Sequence, residues 1–193
     1  MMPTMEKAIP AATFSSDNAS IAGPDRRAAT LILLASAALI FLAASGSAGF
    51  FNIDEVIYFM GADAFRSTGS FVVDNGQADI RADELRLWLL VDGPAGLVPQ
   101  YPPGSAIAGA PLLALFGQKG LVVLNVIAAI GTLILTHSLA RRLFGSSDVA
   151  LLAVGILAFS TFWIEYTAAI WPHSVSIFFT TLALRVFLDA IEA

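Results

Sequence analysis

Residues 26–55 read RRAATLILLASAALIFLAASGSAGFFNIDE, and no charged side chain occurs between Arg27 and Asp54. A helix over about 28–50 is long enough, at about 1.5 Å per residue, to cross a bilayer core of about 30 Å. Arg26-Arg27 stands directly before it. By the positive-inside rule this pair holds the N-terminus in the cytoplasm and sends Phe50 to the far side. The small residues Ser45 to Gly49 are like a processing site. The apolar run is longer, and its leader more extended, than in a typical signal peptide, so the segment reads as an uncleaved anchor.

The composition agrees with that first span. Of the 193 residues 57% are hydrophobic and only 13% charged, which excludes an ordinary soluble domain. Ten basic residues stand against fifteen acidic ones, a net charge of -5. No basic run or aromatic-interleaved patch exists to track a polynucleotide, so nucleic acid is not an expected partner. The absence of cysteine removes disulfides, thiolate metal sites and cysteine nucleophiles. No spacing of metal ligands, glycine loop for nucleotides or Ser/His/Asp arrangement stands out either.

Working outward, residues 1–27 are rich in small and polar side chains and read as a flexible cytoplasmic tail. Residues 51–119 form a long loop on the far side. Within it Ile53, Val56, Ile57, Met60 and Ala64 repeat at the spacing of an amphipathic helix lying on the membrane surface. A second amphipathic patch is expected over Ile80 to Val91, and a short interfacial or re-entrant helix between Pro103 and Gly117. Further spans are expected at about 120–140, 149–170 and 174–192. Arg141-Arg142 marks the cytoplasmic end of the first of these, and Trp171-Pro172 breaks the chain between the other two. The expected fold is all-α: a polytopic domain over 28–193 with about four transmembrane helices.

That topology brings three polar clusters to one face: Asp54-Glu55, Tyr101-Pro102-Pro103 and Trp171-Pro172-His173. Asp54 is the candidate base, since a partly desolvated carboxylate at a span's end can take up a proton. Glu55 is a candidate substrate contact, but it also follows Asn52 by three residues, the pattern of a capping box. Tyr101 sits on a rigid Pro-Pro lead that could hold a phenol over a lipid headgroup, or could simply start a helix. Glu165, in an otherwise apolar run, either faces a substrate cavity or snorkels to the interface beside Tyr166. His173 could bind a phosphate or polar substrate, or be a solvated residue at a helix start. Asn125, Thr132 and Thr136 form a stripe suited to helix packing in lipid, and His137, Arg141 and Arg142 suit a cytoplasmic helix end.

The order of these features resembles the N-terminal part of C-type membrane glycosyltransferases. The features are a first span ending in Asp54-Glu55, an amphipathic loop, a Pro102-Pro103 lead into an apolar stretch ending Leu115-Phe116-Gly117, and a span closing with Arg141-Arg142-Leu143-Phe144-Gly145. The nearest likeness is to protein O-mannosyltransferases, lipid A aminoarabinose transferases and related bacterial sugar transferases. The resemblance implies a polyprenyl-phosphate sugar as donor and a base at the position of Asp54. It implies an inverting transfer to an acceptor on the extracytoplasmic face, with no organic cofactor and a divalent metal left open. Many relatives carry a lysine where Tyr101 stands, so the group that meets the leaving phosphate is unassigned.

The resemblance also implies two or three times as many spans, so this chain is expected to be an N-terminal portion that does not catalyse alone. The expected location is the cell membrane, by composition a bacterial inner membrane. A small polytopic protein with an assembly, packing or transport role is the alternative.

Overall fold

The computed structural model describes residues 26–46, 49–74, 87–159 and 162–192. The expected tail, apart from Arg26 and Arg27, lies outside the described residues. Seven helices and one two-stranded sheet occur among them: α1 (Arg26–Ser45), α2 (Ile53–Thr68), β1 (Leu90–Gly93), β2 (Gly96–Pro99), α3 (Gly104–Phe116), α4 (Lys119–Phe144), α5 (Ser147–Phe159), α6 (Trp163–Ala168) and α7 (His173–Glu192). Three of them, α1, α4 and α7, are long and apolar enough to cross a membrane.

The described residues are mostly helical, as expected, and the chain at Leu90 adds a short antiparallel hairpin pairing Leu90 with Pro99 and Gly93 with Gly96. Of the amphipathic helix expected over Ile80 to Val91, residues 80–86 lie outside the described set and Trp88 to Val91 form a turn and a strand. Within the apolar run at 149–170 the described residues form α5 and the six-residue α6, and residues 160–161 between them lie outside the described set. Alone, the 13 residues of α5 reach only about 20 Å, short of a core of about 30 Å.

The centre of the structure is α4. Buried residues take up 44% of its most apolar window, against 17% for α1 and 11% for α7, so the flanking helices present apolar side chains outward. Leu33, Phe41, Leu152 and Phe187 are all more than 60% exposed, as expected where the surroundings are lipid rather than water. Ala35 and Leu39 of α1, Ala129 and Leu133 of α4, and Val154, Ala158 and Trp163 beyond them form one core. Small residues let these helices approach closely, the usual basis of packing in membranes.

α4 and α7 run parallel, in a register offset by 47 residues: Arg185 donates to Ser138, and Arg142 pairs with Asp189. Gly131 makes the approach possible, since a Cβ there would lie 2.6 Å from the Phe178 ring. Parallel neighbours oblige the segment between them to travel back along their length. The segment 147–170 does so, returning the chain to the Asn125 end of α4.

Over that end lies a second layer. α2 starts at Asn52, whose side chain caps it, and stops at Gly69, which takes the left-handed conformation at φ 71°. α2 packs on α3 through Ala62 and Ala106, with Leu113, Leu121 and Ile170 completing the cluster. Its other side, at Ile57, meets Val73, Leu89 and Leu90 under the hairpin.

Candidate functional site

The beginning of α2, the Tyr101-Pro102-Pro103 lead and the 169–173 link meet at one place. Asp54 and Glu55 are neighbours in the first helical turn, so their side chains leave in directions about 100° apart. That rotation separates their environments.

Glu55 points inward and is 1% exposed. Its Oε2 accepts the Phe51 amide at 2.5 Å and its Oε1 accepts the Ile170 amide at 2.9 Å. Its own amide donates to Asn52 Oδ1 at 3.1 Å, so Asn52 caps the helix while the Glu55 carboxylate holds the amide one residue before the cap. With both oxygens held by backbone donors, Glu55 ties the start of α2 to the link between α6 and α7. Both of its oxygens are enclosed by the protein's own backbone.

Asp54 points toward the loop and is half-buried. Its Oδ1 accepts the Tyr101 hydroxyl at 2.6 Å, a short charge-assisted bond. No second partner for Asp54 occurs among the described residues, so Oδ2 remains able to accept another proton donor. Tyr101 stacks on Tyr58, one turn along α2 from Asp54, with ring centroids 4.5 Å apart. Burial, aided by Tyr101 and Asp54, pushes the Tyr58 phenol up to about 12. The hydrogen bond to Asp54 raises the Tyr101 phenol as well. Both phenols are therefore protonated donors at neutral pH.

Two cavities flank this aromatic pair. One, of about 240 Å³, lies under Tyr101 and is lined by Tyr58, Phe71, Pro99 and Pro103. The other, of about 20 Å³, sits between Tyr58, Asn125 and Trp171, which is room for about one water.

The third cluster adds a collar. His173 is exposed, with its ring 4.6 Å from Tyr166 and 5.6 Å from Trp171. Trp171 Nε1 reaches Asn52 Oδ1 at 3.4 Å, linking this collar to the start of α2. Glu165 stands apart. It is exposed in the first turn of α6, where an acid suits the helix dipole, and no hydrogen bond or ion pair joins it to the other candidates among the described residues.

Asn125, part of the packing stripe of α4, also joins this site. It is 2% exposed, and its Nδ2 donates to the carbonyls of Ala169 (2.6 Å) and Trp171 (2.7 Å). The available signal was a lone amide deep in an apolar run, which is costly unless paired. Tyr58 stands four residues after Asp54, a helical spacing that places the two side chains side by side.

No group of three or more His, Asp or Glu side chains that could hold a metal ion occurs among the described residues. The arrangement supplies one available carboxylate oxygen beside two phenol donors and an aromatic collar. No known family model, curated protein or solved structure matches the chain.

Proposed function

We propose that the chain belongs to a membrane glycosyltransferase that moves a sugar from a polyprenyl-phosphate donor to an acceptor on the extracytoplasmic face of a bacterial inner membrane, with Asp54 as the base. The observation that carries the reading is the half-buried Asp54 with one oxygen bound by Tyr101 and the other available. In the proposed step the free oxygen takes the proton of an acceptor hydroxyl as that oxygen attacks the anomeric carbon. The bond to the phosphate breaks with inversion, and the lipid phosphate leaves with the electron pair. Tyr101 fixes the carboxylate's orientation. His173 and Glu165, at the collar and beyond it, are the remaining candidates for contact with substrate.

A second reading draws on Glu55 and Asn125. Both Glu55 oxygens and the Asn125 amide nitrogen are bound by the protein's own backbone, as in a polytopic protein whose polar groups serve assembly or packing alone.

The test is transfer of labelled sugar from polyprenyl-phosphate donors in reconstituted membranes, using the full product of the reading frame. Asp54→Asn should lower transfer by about 10²–10⁴-fold with membrane insertion unchanged. Transfer at the normal rate by Asp54→Asn, or none by the unaltered product, would favour the second reading.

A further inference from the structure

A separate trough lies between α1 and α4, away from the Asp54 site. It encloses about 510 Å³ between Ile40 and Ala43 of α1, Phe116 of α3 and Val123 and Ile127 of α4. Its rim is open, with Ile40 53% and Ile127 56% exposed. Lys119 is the one charged residue lining it and stands at one end. The Lys119 ammonium donates to the Ala44 carbonyl at 3.1 Å. It has three donors, and the other two have no partner among the described residues. From Lys119 to Ile130 α4 advances about 16 Å, about half of a bilayer core of about 30 Å. The trough is therefore as deep as one leaflet.

We propose that this trough holds one acyl chain of an anionic glycerophospholipid, with the lipid phosphate on Lys119. The cation above and the apolar channel below match an anion joined to a hydrocarbon tail. A free phosphate has no tail to fill the channel. A peptide would bring backbone donors and acceptors that these apolar walls cannot satisfy. A zwitterionic lipid carries its own cation to the phosphate, which weakens the contact with Lys119. The site does not depend on the sugar-transfer reading.

The test is native mass spectrometry of the protein extracted from vesicles of equal parts phosphatidylglycerol and phosphatidylcholine. Retained phosphatidylglycerol should exceed phosphatidylcholine by about fivefold, the effect of one lysine at an anionic surface. Lys119→Gln should remove the preference, Lys119→Arg should keep it, and Val123→Trp should displace the lipid while leaving the ammonium in place. Should Lys119→Gln fail to fold, the preference in the unaltered protein should still shrink as salt is raised. Equal retention of the two lipids overturns the proposal, as does a preference that survives both Lys119→Gln and salt. Replacement of the phospholipid by added polyprenyl phosphate at equal concentration would also overturn it, by naming a different occupant.

Discussion

At its Asn125 end, α4 is surrounded by polar groups buried and held by backbone: Glu55 on the Phe51 and Ile170 amides, and Asn125 on the Ala169 and Trp171 carbonyls. At the opposite end the acidic side chains are exposed, and the arginines that meet them are partly covered. Arg142 pairs with Asp189 and with Glu192, the latter at 2.6 Å, and Arg185 reaches Asp189 at 3.1 Å. Both ends connect segments distant in sequence, yet the physics differs. Buried groups at the first end have no water to fall back on, so each missing partner carries its full desolvation cost. At the second end the acids keep contact with solvent, so water and salt compete for the ion pairs.

The largest expected effect comes from Glu55→Ala, which orphans two amides at once and should lower stability by about 2–5 kcal/mol. Chemical denaturation in detergent measures it, and a loss well under 1 kcal/mol would erase the contrast between the ends. Tyr101→Phe should cost less, about 1 kcal/mol, because its hydrogen bond is only partly shielded from solvent. Under the proposed function it should also reduce sugar transfer more than it reduces stability.

The phenols allow a finer comparison. Tyr58 is raised from 10.0 to about 12 in the folded protein, so between these values the folded state holds a proton that the unfolded chain has released. The associated stability is complete below about 10 and falls as pH rises toward about 12. Thermal midpoints across that range should decline in the unaltered protein and more shallowly in Tyr58→Phe. The smallest effect is expected for Arg142→Ala at the second end. Its melting temperature should stay close to the unaltered protein's, and any shift should vanish as salt is raised. A large, salt-independent shift would show that this end too is held by buried charge.

Much of the secondary structure was legible in residues alone. Asn52 three positions before Glu55 specified a helix start, and the apolar spacing from Ile53 to Ala64 specified its face. The hairpin was not legible, because two strands of four residues are too short to impose a period on the sequence. Nor did local pattern separate the two carboxylates. The capping rule favoured a structural role for Glu55, but the partner of its second oxygen is Ile170, 115 residues away. Asp54 and Tyr101, 47 residues apart, were each identified without any signal that they touch.

Composition and hydropathy by themselves determined that this chain is built from apolar helices, because transfer of side chains into lipid is a sum over residues that needs no partner. They also determined where the polar interruptions fall. Only the tertiary structure decided which interruptions meet, that Glu55 is enclosed while Asp54 keeps an open oxygen, and that α4 and α7 lie parallel. Those outcomes depend on pairing between distant segments, where a hydrogen bond or a close helix contact is a property of two positions and is written in neither alone.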